Sequence, residues 1–143
     1  MSLLSFLQSI ADRIHSAFSS NGARVQIDVG GDDLLAEGRL GADVGLIVGE
    51  LVTNALKHAF ADRREGRIMI ALRGDEEAGA LEVTVHDDGP GLPDGMDRPN
   101  RLTSLGWRMV ESMAARDAGQ VDVTNRNGLC VRVTLEEPDR NRS

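Results

Sequence analysis

The order of strand-like and helix-like segments along the chain is the feature that most constrains its fold. Short alternating or apolar stretches predict six strands: RVQIDV, DLLAEG, RIMIAL, LEVTVHD, QVDVTN and CVRVTL. Apolar residues at spacings of three and four predict three helices, over residues 3–18, 43–60 and 104–119. Because most strands follow one another as hairpins, we expect an α+β fold. It would be a two-layer α/β sandwich, with a mixed, mostly antiparallel sheet and helices packed on one face.

Composition excludes several classes of protein. The chain has 143 residues, of which 41% are hydrophobic and 27% charged, values typical of one globular domain with its own core. No apolar run approaches the ~18 residues of a membrane helix, and the first residues lack the pattern of a secretory signal. The single cysteine, Cys130, cannot form an internal disulfide, and no Cys/His cluster predicts zinc. We therefore expect a cytoplasmic domain without membrane contact.

The charge of the chain argues against a nucleic-acid partner. Sixteen Lys and Arg against 23 Asp and Glu give a net charge of −7, whereas nucleic-acid-binding proteins present a basic face. Aromatic residues make up 3% of the chain, which is too few for a base-stacking surface. A nucleotide site remains compatible with this charge, because Mg²⁺ and a few cations can offset phosphate charge locally.

The second predicted helix carries a group of polar residues at helical spacing. Glu50, Asn54 and His58 are four residues apart and Lys57 lies beside them, so we expect one polar face nearly opposite the apolar stripe. An amphipathic helix with a solvated face explains the same pattern. The asparagine is unusual in mid-helix, and an amide oxygen is a hard ligand that suits Mg²⁺ bridging to phosphates.

A glycine-rich motif, HDDGPGLPDG, follows a predicted strand. Asp87 lies at the strand end, with Gly89 and Gly91 after it. Glycines let a backbone approach a ligand closely, and an ionised carboxylate accepts a hydrogen bond from the exocyclic amine of adenine but repels the carbonyl of guanine. A plain glycine-proline turn is the alternative interpretation.

A third motif opens the last predicted helix. It consists of four consecutive residues: Thr103, Ser104, Leu105 and Gly106. Unpaired N–H groups at a helix start can bind an anion, and hydroxyl groups add donors. An N-cap without any ligand explains the motif equally well.

In their order and spacing, the three motifs resemble the N, G1 and G2 boxes of the Bergerat ATP-binding fold, the family of gyrase, Hsp90, histidine kinases and MutL. Asp87 lies 33 residues after Asn54, and Ser104 lies 17 residues after Asp87. ELVTNALKHAF, HDDGPGLP and SLGWRMVESMA are similar to the short-lid branch of bacterial two-component sensor histidine kinases. The resemblance predicts an ATP-binding domain at 23–138, a polar tail at 139–143, and a helix in 1–22 that could be the remnant of a dimerisation helix.

The resemblance implies ATP and Mg²⁺ as cofactors and assigns roles on the phosphate side. Asn54 would bind Mg²⁺, and Lys57 and His58 would contact the phosphates. Glu50 would act as the general base or would orient the attacking group. Arg101 in the lid could add one further cation.

On the adenine side, the resemblance implies that Asp87 reads the base in a pocket shaped by Gly89, Gly91 and Leu92. The phosphate side would be closed by the four residues of the third motif: Thr103, Ser104, Leu105 and Gly106. Two departures from the family pattern stand out: the first bears on the lid geometry, and the second predicts weaker nucleotide binding. Leu102 and Ser104 stand where many kinases have glycines, and Leu129 follows Gly128 where the family usually has a threonine.

The function implied is that of the catalytic domain of a sensor histidine kinase, which delivers the γ-phosphoryl group of ATP to a histidine on dimerisation helices. A response regulator would be the next partner, and a homodimer is expected for a full-length kinase. The acceptor histidine lies outside this chain, since the sequence around His15 lacks the acceptor pattern. Two alternatives stay open: a stand-alone anti-sigma-factor-like serine kinase, and a degenerate, non-catalytic scaffold of the same fold.

Overall fold

The computed structural model of the chain describes residues 2–18, 24–36, 38–59, 65–75, 79–91, 105–116, 119–125 and 127–136. Within these ranges it has three α-helices and five strands. The helices are α1 (Leu3–Phe18), α2 (Gly38–Asn54) and α3 (Leu105–Arg116), and a π-helical turn at Ala55–Ala59 continues α2. The strands are β1 (Arg24–Gly31), β2 (Glu65–Asp75), β3 (Ala80–Asp87), β4 (Gln120–Asn125) and β5 (Leu129–Glu136).

The five strands form one mixed sheet with one buried face. Its order is β1-β2-β3-β5-β4; β1 and β2 are parallel and the other neighbours antiparallel. Alternate residues of the two central strands are buried, namely Leu81, Val83, Val85, Asp87, Leu129, Val131, Val133 and Leu135. Helix α1 packs against β1, α2 against β3, and α3 against β4 and β5. The predicted α+β sandwich with helices on one face of a mostly antiparallel sheet is therefore confirmed.

Helix α1 belongs to the same core as the sheet. Leu3, Leu7 and Ala11 are buried on one face of the helix, and the helix packs against α2 and β1. The described part of the chain therefore has one continuous core, to which α1 contributes. The bounds predicted at 1–22, 23–138 and 139–143 stay predictions. The derivation of this helix from a dimerisation helix stays a prediction. No helix among these residues is both long and apolar enough to cross a bilayer.

The predicted strand over DLLAEG is wrong. Residues 32–36 lie outside the sheet, and Leu35 forms only an isolated bridge to Ser2. The polar backbone groups of this segment are occupied elsewhere. The Asp32 N–H donates to the carbonyl of Leu72 at 2.7 Å, and the Leu34 carbonyl accepts from Leu3 at 2.8 Å. The segment thus connects the start of α1 to β2 and does not form a strand of its own.

Helix α2 begins five residues earlier than predicted, at Gly38 instead of Asp43. Two glycines in its first turn, Gly38 and Gly41, lower the helix propensity and hide this start in the sequence. At the other end, the π-helical turn at Ala55–Ala59 replaces the last α-helical turn. Such turns often occur at functional sites, and this one carries Lys57 and His58.

An ion pair with a buried carboxylate connects α2 to the last turn of α3. The guanidinium of Arg116 donates to the carboxylate of Asp43 at 2.6 Å, and the Asp43 side chain is only 4% exposed, against 47% for Arg116. Just beyond α3, the Gly119 N–H donates to the Ala114 carbonyl at 2.7 Å, as expected for the helix end predicted at this glycine. The two helices therefore run antiparallel with a fixed contact at one end.

Replacing Arg116 should destabilise the fold, because the Asp43 carboxylate would stay buried without its cation. We expect Arg116→Met to lower the free energy of unfolding by about 1–3 kcal/mol in urea denaturation. Arg132→Met is the matched control, since Arg132 pairs with Glu82 on the open face of the sheet at 3.5 Å with both side chains at least one-third exposed. Exposed pairs contribute less than about 1 kcal/mol. Equal losses in the two variants would contradict the role given to the Asp43 pair.

Candidate functional site

The structure brings Asn54 and Asp87, predicted from two separate motifs, to one small cavity. The cavity lies between the end of α2 and the ends of β3 and β5. Seven residues line it: Leu51, Asn54, Ala55, Val85, Asp87, Leu129 and Val131. Two polar side chains thus face an apolar concave surface, which is the usual composition of a small-molecule site.

Asp87 is the last residue of β3 and is only 4% exposed. Its Oδ1 accepts two backbone hydrogen bonds, from Gly89 at 2.9 Å and from Leu129 at 3.3 Å. Buried carboxylates are costly unless hydrogen bonds compensate the loss of water. Because both of these bonds end on Oδ1, Oδ2 is the oxygen left for a ligand in the cavity.

Two glycines allow the backbone to pack tightly around Asp87. Gly128 has a φ of 125°, and a Cβ there would overlap the carbonyl oxygen of Asp87. Gly91 has a φ of 74°, and a Cβ there would overlap Oδ1 of Asn125. Other residues rarely adopt these conformations. The turn after β3 and the turn before β5 are thereby held against each other, and the carboxylate is fixed between them.

Asn54 ends α2 and carries an unusual buried amide. Its Nδ2 is buried and has no hydrogen-bond partner among the described residues. Leaving a buried polar group unpaired costs about 1–3 kcal/mol, so such groups in native proteins call for a partner. Rotation of the amide by 180° exchanges Nδ2 with Oδ1. The side chain can therefore present either a donor or a hard oxygen ligand to a bound group.

The sequence predicted that the polar face of α2 lies nearly opposite the apolar stripe. The structure differs at Asn54. Asn54 lines the same cavity as Leu51 and Ala55, because residues three apart are neighbours on a helix surface. Glu50, one turn earlier, is half-buried, whereas Lys57 is exposed. The side chain of His58 lies outside the described residues.

The carboxylate of Glu50 lies against the first turn of α3. A Cβ on Gly106 would overlap Oε1 and Cδ of Glu50 and would lie 3.0 Å from its Cγ. This contact places Glu50, predicted as the catalytic residue, beside Gly106, predicted on the phosphate side. The structure thus brings together residues of the first and third motifs.

Part of the predicted site cannot be placed. The backbone of Leu105 begins α3, but its side chain lies outside the described residues. Five further residues named from the sequence are also outside them: Leu92, Arg101, Leu102, Thr103 and Ser104. Their roles stay predictions.

Sequence reasoning named Leu129 only as a departure from the family pattern, and it gave Val85 and Val131 no role in the site. All three line the cavity. Strand alternation could have found Val85, since it lies two residues before Asp87 on the same face of β3. Leu129 and Val131 follow from the pairing of β5 with β3, in which Val131 lies opposite Val85.

Known histidine kinases resemble this chain in sequence and in structure. A blue-light-activated histidine kinase of Erythrobacter litoralis is 36% identical over 129 residues, which cover 88% of this chain and 36% of that protein. The sensor histidine kinase PdtaS of Mycobacterium tuberculosis is 36% identical over 72 residues, half of this chain and 14% of that protein. The chain thus spans about a third or less of the length of these relatives.

The solved structures agree with this likeness. The histidine kinase domain of the E. litoralis EL346 blue-light-activated kinase superposes with a TM-score of 0.79 at 30% identity, covering 94% of this chain and 61% of that one. The sequence-family model of the histidine kinase-, DNA gyrase B- and HSP90-like ATPases matches residues 41–139, which include Asn54, Asp87 and Gly106. With the cavity between α2 and the ends of β3 and β5, these matches show that the chain belongs to the family of histidine kinase-, DNA gyrase B- and HSP90-like ATPases.

Proposed function

We propose that this chain is the ATP-binding catalytic domain of a sensor histidine kinase. It binds Mg·ATP and delivers the γ-phosphoryl group to a histidine on the dimerisation helices of a homodimeric kinase, from which a response regulator receives it. The observation that carries the proposal is the meeting of Asn54 and Asp87 in one cavity of a histidine-kinase-like fold. A cytoplasmic location is part of the proposal and is consistent with the single free cysteine, Cys130.

Asp87 would select adenine through its second carboxylate oxygen. The Gly89 and Leu129 amides hold Oδ1, so Oδ2 could accept a hydrogen bond from the exocyclic amine of the base. Guanine carries a carbonyl at that position, and two acceptors facing each other in a dry pocket repel. Leu129 and Val131 would contact the apolar faces of the base.

Changing Asp87 to asparagine should weaken nucleotide binding without changing the fold. In Asp87→Asn, the amide oxygen can still accept from Gly89 and Leu129, but the NH₂ group replaces the acceptor at Oδ2. We expect the affinity for Mg·ADP to fall at least ~5-fold, from a lost hydrogen bond of about 1–3 kcal/mol. Isothermal titration calorimetry measures this loss, and circular dichroism would show an unchanged fold.

The control is the same change at the next residue. The Asp88 side chain is exposed, and its Oδ1 accepts from the Arg67 amide on β2 at 2.9 Å, outside the cavity. Asp88→Asn should therefore keep the wild-type affinity. Equal affinities for Asp87→Asn and the wild type would remove Asp87 from the adenine site.

Asn54 would hold the magnesium ion together with water and phosphate oxygens. Its unpaired buried amide fits a site that is completed by a ligand. A single amide oxygen would suffice, because Mg²⁺ usually keeps several waters and shares substrate phosphates. When bound, the ion supplies charge neutralisation for the phosphates.

Glu50 would serve the transfer step. An imidazole nitrogen of the acceptor forms the new P–N bond, the bond from the γ-phosphorus to ADP breaks, and the imidazole proton is taken or oriented by the Glu50 carboxylate. Glu50 lies one helical turn from Asn54 and is half-buried. A base near the proposed phosphate site is what such a transfer requires.

A chimera tests the function directly. This chain would replace the matching part of the E. litoralis histidine kinase domain, to which it superposes with a TM-score of 0.79. We expect labelled ATP to yield acid-labile, base-stable phosphohistidine. Glu50→Gln should keep Mg·ADP binding and lower the transfer rate about 10²-fold, whereas Glu82→Gln on the open sheet face should change neither.

The alternatives give other results. Transfer by Glu50→Gln at the wild-type rate would contradict the role of this residue. Acid-stable phosphoserine on a protein substrate, without phosphohistidine, would favour the anti-sigma-factor-like serine kinase. Nucleotide binding and transfer both absent from the wild-type chimera would favour the non-catalytic scaffold.

A further inference from the structure

The contact between Glu50 and Gly106 joins two helices that are far apart in sequence. Glu50 lies near the end of α2 and Gly106 in the first turn of α3. Any side chain on Gly106 would overlap the Glu50 carboxylate at Oε1 and Cδ. Both atoms belong to the carboxyl group, so this group can occupy its position only because residue 106 is a glycine.

The start of α3 is a favourable place for a carboxylate. The first N–H groups of a helix lack intrahelical partners, and the helix dipole adds a partial positive charge there. Glu50 is half-buried, so its charge is less screened than that of a fully exposed side chain. The carboxylate therefore has a physical reason to rest against Gly106.

We propose that Gly106 is a positioning residue for Glu50: its lack of a side chain leaves the space in which the Glu50 carboxylate lies against α3. The inference deepens the proposed function, since it rests on Glu50 acting in phosphoryl transfer. At the other end of the same helix pair, Asp43 and Arg116 form the ion pair at 2.6 Å. The two contacts together fix α3 relative to α2, and with it the carboxylate relative to Asn54.

A different role for Gly106, as a backbone contact to phosphate, predicts different behaviour. A phosphate contact would be lost in Gly106→Ala whether or not Glu50 is present, and the loss would weaken nucleotide binding. A positioning role acts through Glu50 alone. The effect of Gly106→Ala should then disappear when the Glu50 side chain is shortened.

The first experiment is a thermal-unfolding cycle on this chain. The Glu50 carboxylate is the end of a flexible side chain and can move aside, so the cost of Gly106→Ala is modest and opposes a gain in helix propensity. We therefore compare two backgrounds and expect Gly106→Ala to change Tm less favourably in the wild type than in Glu50→Ala, by at least ~2 °C. A Glu50→Asp background should give an intermediate change, because this carboxylate is one methylene shorter. Gly49→Ala on α2 is the control, since a Cβ there meets nothing within 4 Å, and it should change Tm equally in both backgrounds. Equal Tm changes from Gly106→Ala in both Glu50 backgrounds would overturn the inference.

The second experiment measures transfer in the chimera. A positioning role predicts that Gly106→Ala lowers kcat at least ~10-fold while KM for Mg·ATP changes less than ~3-fold, as for an interaction made only in the transition state. A raised KM with unchanged kcat would identify a phosphate contact and overturn the inference. Full activity of Gly106→Ala beside an active wild type would overturn the inference alone. An inactive wild type would overturn the proposed function, and the positioning role with it.

Discussion

The hydrogen bonds between the Asp87 carboxylate and the backbone organise the candidate site. Oδ1 accepts from Leu129 on β5 and from Gly89 in the following turn, so one oxygen joins two central strands and a loop. A buried carboxylate is tolerated because these donors replace water. The second oxygen is left to the cavity, which lies where β3 ends and β5 begins, next to the end of α2.

The helices supply the other polar residues of the candidate site. Helix α2 brings Asn54 to the cavity and carries Glu50 one turn earlier, and α3 packs antiparallel to α2. The pair is held at one end by Asp43 and Arg116 and at the other by Glu50 and Gly106. Residues 92–104, which include the predicted lid, directly precede α3 in the sequence. The two contacts therefore fix where α3 begins relative to Asn54 and Glu50.

The sequence predicted the fold class, all five strands of the sheet and the three helices, because alternation and helical spacing are strong local signals. It was wrong over DLLAEG, where Leu34 and Leu35 pair with Leu3 and Ser2, and the preceding Asp32 bonds to β2. It also placed the start of α2 at Asp43, because Gly38 and Gly41 weaken the helical pattern. Tertiary contacts decide both cases, and no local pattern reports them.

For the site, the motifs identified Asn54 and Asp87, and the structure places both at one cavity. The apolar lining from Leu129 and Val131 depends on strand pairing across the sheet, which a single sequence does not report. The contact of Glu50 with Gly106 depends likewise on how two helices pack. The residue types thus indicated the chemistry of the site, whereas the contacts between its residues became known only from the folded structure.

Selection between adenine and guanine tests the central claim most directly. The decisive measurement is calorimetric titration of the wild-type chain with ATP and with GTP, each with and without Mg²⁺. The account predicts binding of ATP that strengthens with Mg²⁺ and at least ~5-fold weaker binding of GTP, from one unfavourable pair of acceptors at Asp87. Equal affinities for the two nucleotides, or no binding of either at millimolar concentration, would contradict it.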